Sequence, residues 1–149
     1  MSKKPRIELV HAAIERLTRL TELFEQRREQ LAARAGLTAG QWNVLEEIST
    51  ERFMPSMFAK TEERSRATVS KLIRQLLDRG LVRVAISAAD GRQRDYALTA
   101  DGRATLDKLR AERERAIDAI WLRLDPELLA QFDSFSADLI GRIERYAKE

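Results

Sequence analysis

The residues with the clearest chemical meaning lie between Pro55 and Thr99. Ser65-Arg66-Ala67-Thr68-Val69-Ser70-Lys71-Leu72-Ile73-Arg74 reads as a capped helix running on to Arg79-Gly80. Val69, Leu72, Ile73, Leu76 and Leu77 share one face, and the Arg, Lys, Ser and Thr side chains share the other. Some ten residues beyond Gly80 comes Asp90-Gly91-Arg92-Gln93-Arg94. A helix that enters the major groove of DNA needs short or polar side chains near its N-terminus, where base edges lie, and donors for phosphate. Arg66 suits bidentate reading of guanine, and Thr68 offers a hydroxyl or a methyl. Ser65 caps while N–H groups at the helix start meet a phosphate. Ser70 is short and polar on the same face, and Lys71 and Arg74 suit phosphate, which adds affinity without sequence information. Arg92, at a Gly-preceded tip, can enter a minor groove, whose negative potential attracts Arg. Asp90 can shape that tip and Arg94 can reach the backbone. A solvated surface helix explains the first half of this pattern alone; the ordered set of short helix, basic helix, strand, arginine tip and strand points to duplex DNA.

The charge distribution agrees. From Arg52 to Arg103 there are 11 Lys/Arg and 6 Asp/Glu, a net of +5, whereas the remainder holds 16 against 18, a net of −2. The positive field is therefore carried by one segment of a chain whose overall charge is only +3. There is no cysteine and only one histidine, His11, which excludes disulfides, thiolate zinc sites and multi-histidine metal sites. No cofactor is expected. An enzyme reading finds little: none of the six glycines makes a phosphate-cradling loop, and the carboxylates are spread along helices among Lys and Arg. No apolar run approaches the ~18 residues of a membrane span, and the N-terminus is not a signal peptide, so a cytoplasmic protein is expected.

The elements that must position these residues follow from periodicity. Ile7 to Arg34 lacks Gly and Pro and places Ile7, Val10, Ile14, Leu17, Phe24 and Leu31 at helical steps, a helix about 40 Å long. The six residues before it read as a loose arm. Thr38 caps a second helix to Ser49, with Gln41 as its box partner and Trp42, Leu45 and Ile48 as its buried stripe. Pro55 opens a short third helix through about Glu63, and Ser65 opens the fourth. Leu81–Ser87 and Arg94–Leu98 form a hairpin. Thr99 caps a fifth helix to about Leu124, with Leu106, Leu109, Ile117, Ile120 and Trp121 inward. Asp125-Pro126 starts a sixth, striped by Leu128, Phe132, Phe135, Leu139, Ile143 and Tyr146. The terminal helices carry more apolar stripe than a small central lobe can cover, so a two-fold homodimer is expected.

These residues resemble the MarR family, the multiple-antibiotic-resistance type of winged helix-turn-helix regulators. Ser65 to Leu72 matches the recognition helix, Arg79-Gly80-Leu81-Val82 its exit, Asp90-Gly91-Arg92-Gln93 the wing and Leu98-Thr99-Ala100-Asp101-Gly102 the entry to the fifth helix. The resemblance implies a mainly α fold with a small β-hairpin wing: one domain over 1–149, a DNA-binding lobe at 38–99, and dimerisation helices at 7–34 and 100–149. It also implies a dimeric repressor on a pseudo-palindromic operator of double-stranded DNA, relieved by a small, frequently aromatic effector. Candidate lining residues are His11, Phe24, Trp42, Met54, Met57 and Trp121, each read first as core or dimer interface. Where the family usually has an apolar residue and a Gly before the recognition helix, this chain has Glu62-Glu63-Arg64, which predicts a pairing that is looser or braced by charge through Lys60, Arg64 or Arg66. The competing functions are a winged-helix protein turned to protein–protein contact and an effector-independent activator.

Overall fold

The order of elements is α1 (Lys3–Arg34), α2 (Ala39–Ser49), α3 (Pro55–Thr61), α4 (Arg66–Asp78), β1 (Val82–Ile86), β2 (Arg94–Leu98), α5 (Ala100–Ile120) and α6 (Pro126–Tyr146). The structure is a computed structural model that describes residues 3–87, 89, 91 and 94–149. α1 begins four residues before Ile7, so most of the expected loose arm is helical. Pro5 is tolerated there because the first-turn N–H groups of a helix have no partner to lose.

Four helices end in the same way, each with a left-handed residue just past its last turn. Gly36, Glu51, Glu63 and Gly80 have φ of 70°, 60°, 52° and 70°. After α1, Leu37 N donates to Ala32 O and Gly36 N to Ala33 O. After α4, Leu81 N donates to Leu76 O and Gly80 N to Leu77 O. After α3, Arg64 N donates to Ala59 O and Glu63 N to Lys60 O. Each is the paired backbone bond that closes a helix C-terminus and favours glycine at the left-handed position. α3 therefore stops at Thr61, earlier than expected, because its closing turn occupies Glu62-Glu63-Arg64.

The chain divides into two compact units, Met1–Arg110 and Ala111–Glu149. In the first, Leu31 and Ala32 of α1, Trp42, Val44, Leu45 and Ile48 of α2, Phe58 and Ala59 of α3, and Val69, Ile73 and Leu76 of α4 form one core with Leu81, Val82, Leu106 and Leu109. Polar contacts lock its helices. Thr38 and Gln41 form the expected capping box, and the buried Gln41 also donates from Nε2 to Gln75 Oε1 of α4 at 2.9 Å. The Arg79 guanidinium donates to the Gly36 carbonyl, tying the end of α4 to the α1–α2 turn. Arg28 bonds Asn43 and lies 4.4 Å above the Trp42 ring.

β1 and β2 pair antiparallel, with Val82 opposite Leu98, Val84 opposite Tyr96 and Ile86 opposite Arg94. Tyr96 meets Phe53 edge-on at 5.8 Å, and Phe53 meets Phe58 at 5.6 Å, which fastens the hairpin's base to the α2–α3 connector. Thr99 joins hairpin to helix: its N donates to Leu81 O, its Oγ1 donates to Gly80 O, and Gly102 N donates to that Oγ1.

α5 ends at Ile120, short of Leu124. Leu106 and Leu109 are buried as expected, Ile117 and Ile120 are exposed, and Trp121 is half-buried. In the second unit Asp125 Oδ1 caps α6 by accepting from Glu127 N. α6 has the expected periodicity, but buries none of its residues: Leu128, Phe132, Phe135, Ile143 and Tyr146 are exposed and Leu139 is half-buried. Exposure also holds for Ile7, Val10, Ile14, Leu17 and Phe24 of α1. Both terminal helices present their stripes to water in the single chain.

Candidate nucleic-acid interface

α4 is built to hold one face still and present the other. Val69, Ile73 and Leu76 are buried, and Leu72 and Leu77 pack beside them. At the start, Ser65 Oγ accepts from Thr68 N at 3.0 Å and lies 2.8 Å from Thr68 Oγ1. Both hydroxyls thus take part in the cap. Arg66, Ser70 and Arg74 follow one another at steps of four, with Lys71 beside them, and all four are exposed. Among the described residues no acidic side chain pairs with Arg66, Lys71 or Arg74. The structure therefore places Arg66, Thr68, Ser70, Lys71 and Arg74 on the exposed surface of α4, with Ser65 as its N-cap.

The wing is described up to its tip. Arg94 opens β2 and is exposed, as is Arg83 of β1, a cation the sequence reading did not single out. Asp90 and Arg92 lie outside the described residues.

The turn before α4 corrects one expectation. Glu62 and Glu63 are exposed, and among the described residues neither pairs with Lys60, Arg64 or Arg66. Backbone bonds close this turn, not charge. Arg64 instead turns toward the start of α2, where a Cβ on Gly40 would lie 3.1 Å from its Nη1. Nothing at the sequence level links Arg64 to Gly40, or Gln41 to Gln75, since each pair is far apart in the chain.

The six residues considered for an effector are carried by several segments of the chain. Trp42 is a core residue, held by Arg28 above its ring and by its Nε1–H donating to Glu46 Oε1 at 3.2 Å. His11 and Phe24 are exposed on α1, about 20 Å apart along the helix. Trp121 belongs to the second unit. Met54 and Met57 do share a cleft of about 160 Å³ with Arg52, Phe53, Phe58 and Thr61. That is well below the roughly 300 Å³ where pockets for drug-sized ligands begin.

A small hairpin beside a helix pair whose second helix exposes a cationic face defines a winged helix-turn-helix protein. Residues 35–93 match the sequence model of the MarR family. That match takes in α2, α3, α4 and β1 and stops before β2, and the fold of the chain is the MarR winged-helix fold. Among solved structures, a MarR family transcription regulator is similar over 98% of this chain and 97% of its own, with TM-score 0.88 and 19% identity. Staphylococcus aureus MepR in its DNA complex is similar over 85% of this chain and 93% of its own, with TM-score 0.70 and 18% identity. Staphylococcus aureus MarR, in complex with salicylate and kanamycin, is similar over 93% and 94%, with TM-score 0.78 and 14% identity. No curated protein matches the chain. Among the described residues no helix is long and apolar enough to cross a membrane, and no cluster of metal-ligating side chains occurs.

Proposed function

We propose that this protein is a sequence-specific DNA-binding transcriptional regulator, not an enzyme, acting in the cytoplasm as a homodimeric repressor of a pseudo-palindromic operator. The observation that carries the reading is the cationic face of α4: Arg66, Ser70, Lys71 and Arg74 exposed on a helix whose other face is locked in the core. Residues 38–99 are the lobe that meets DNA, with α4 in the major groove. Arg66 reads a base edge; Lys71, Arg74 and the capped N-terminus at Ser65 hold phosphates. Arg92, shaped by Asp90 and flanked by Arg94, enters the adjacent minor groove. Residues 7–34 and 100–149 form the dimer interface, which covers the exposed stripes of α1 and α6. Support comes from a structural neighbour solved on DNA. Relief by a small aromatic effector is the further part of the reading, and a neighbour bound to salicylate supports it.

The test is selection of bound duplexes from a random library, with the protein's mass in solution recorded alongside. The expected product is an inverted repeat with half-sites about one helical turn apart, roughly 10 bp centre to centre, bound by a dimer. A folded dimer that enriches nothing overturns the reading in favour of protein–protein contact.

A further inference from the structure

Arg64 is the one side chain of the α3–α4 turn that the fold draws inward. Its backbone N donates to Ala59 O at 2.8 Å and so closes α3, and the next residue, Ser65, caps α4. The side chain is half-buried, while Glu62 and Glu63 beside it are exposed. It lies at the joint between α2 and α4: the point where a Cβ on Gly40 would stand is 3.1 Å from Arg64 Nη1 and 3.5 Å from Leu72 Cδ2. Gly40 is buried and Leu72 half-buried, so the guanidinium rests on apolar ground.

Packing accounts for the stem of this side chain and not for its charge. Among the described residues no carboxylate pairs with Arg64, and no acceptor takes a hydrogen bond from its guanidinium. Glu29 is engaged at the start of α2, where its Oε2 accepts from Ala39 N at 3.2 Å. That start carries the positive end of the helix dipole, so a cation beside it gains nothing from the fold. An uncharged chain of similar length would fill the same space. The N–H donors of the guanidinium, fixed in a planar fork, are open to an acceptor from outside the chain.

The position of the turn says which acceptor. In a helix-turn-helix the first helix crosses the DNA backbone and the second meets base edges with its N-terminal residues, so the turn between them passes over phosphates. Arg64 and Arg66 are separated by at most roughly 7 Å of chain, about two base-pair steps. A guanidinium there would reach the strand beside the base that Arg66 contacts, and phosphate suits its fork. Glu62 and Glu63 would repel the same strand, which leaves Arg64 as the one cation of the turn that could hold it.

We infer that Arg64 holds a DNA backbone phosphate, extending the contact surface from α4 across the turn to the α2–α4 joint. The inference rests on the DNA-binding reading above and adds a contact that the reading does not include.

The experiment compares wild type with Arg64→Met, which keeps an unbranched apolar stem and removes the charge. Arg64→Gln is a second neutral variant, and Arg64→Lys keeps the charge without the fork. Thermal melts establish folding. Affinities are measured over a range of salt on two short duplexes, one holding a single selected half-site and one with that half-site scrambled. Both neutral variants are expected to lower the slope of log affinity against log salt by about 0.9. A rise from about 50 to about 200 mM salt then costs them roughly threefold less affinity than it costs wild type. The effect should be equal on the two duplexes, because a phosphate contact carries no sequence information. Arg64→Lys should keep the wild-type slope, since a point charge displaces the same counterion. Wild-type slopes in folded Arg64→Met and Arg64→Gln overturn the inference and leave the side chain as packing alone. A loss confined to the selected half-site overturns it in favour of base reading. Unfolding of both neutral variants with Arg64→Lys still folded also overturns it, because the charge would then serve the fold. A wild type that binds neither duplex overturns the DNA-binding reading itself and this inference with it.

Discussion

At the scale of single residues, the proposed function assigns two kinds of contact to the exposed surface of α4, with separable signatures. Arg66 sits in the first turn of α4, the part of a recognition helix that would reach base edges in the proposed complex, and Lys71 lies more than a turn further on. Arg66→Ala is expected to cost about 1–3 kcal/mol on the selected operator and to relax preference at one base position. Lys71→Ala is expected to weaken selected and random duplexes alike and to lower the salt slope by about one. Binding titrations on both duplexes over a range of salt check this, and equal losses for the two variants on both duplexes would contradict it. A second pair of residues bears on stability. Glu51 and Glu63 occupy left-handed positions that Gly36 and Gly80 fill at the ends of α1 and α4. An L side chain costs about 1–2 kcal/mol there, partly offset because glycine loosens the unfolded chain. Glu63→Gly is therefore expected to stabilise the fold by about 0.5–1 kcal/mol, seen as a Tm rise of roughly 1–4 °C. A fall in Tm would show that the Glu63 side chain contributes more than its backbone costs.

At the scale of elements, the junction from hairpin to α5 is the tightest in the lobe. Gly102 looks in the sequence like a weak spot in a helix's first turn, and propensity alone would have alanine improve it. The structure reverses that sign, because any Cβ would collide with the Leu81 carbonyl, which already accepts from Thr99 N. Gly102→Ala is expected to destabilise by at least ~2 kcal/mol, the scale of an overpacked core. Gly80→Ala, with open space but φ of 70°, should cost only about 1 kcal/mol. Urea unfolding midpoints rank the two, and a harmless Gly102→Ala would mean that α5 can slide on its seat. Caps and stops are local, so Thr38-Gln41, Ser65, Gly80 and Asp125 were readable from a few adjacent letters, as was the split of α4 into apolar and basic faces. Arg64 over Gly40, Gln41 to Gln75, Arg110 on Glu46 and the approach of Gly102 to Leu81 depend on how distant segments meet, and periodicity carries no such information. Ile117 and Ile120 read as inward in the sequence and are exposed in the single chain, because a 3.6-residue pattern identifies an apolar side without naming what covers it.

At the scale of the whole molecule, the apolar stripes of α1 and α6 decide what the protein is in solution. Ile7, Val10, Ile14 and Leu17 form one exposed row, and Leu128, Phe132, Phe135 and Ile143 form another. Scattered exposed apolar side chains are ordinary, but two continuous rows exceed what a soluble monomer usually leaves uncovered. In the proposed homodimer a two-fold partner would cover the same rows on both copies at once, which would tie association to folding. Two consequences follow from mass action. The Tm of the wild type should rise with protein concentration, because dimerisation stabilises only the folded chain. Phe135→Asp, which puts a charge into the α6 row without touching the lobe, should yield a species of one chain's mass. Each lobe would still bind a half-site as before. What disappears is the second contact made at high effective concentration, so affinity for the paired operator should drop about 10²–10⁴-fold while affinity for a single half-site stays level. Sedimentation and binding on paired and single half-sites read the two quantities separately. A variant that remains dimeric with undiminished operator affinity would move the interface away from α6. One that becomes monomeric without losing the operator would detach DNA recognition from dimerisation altogether.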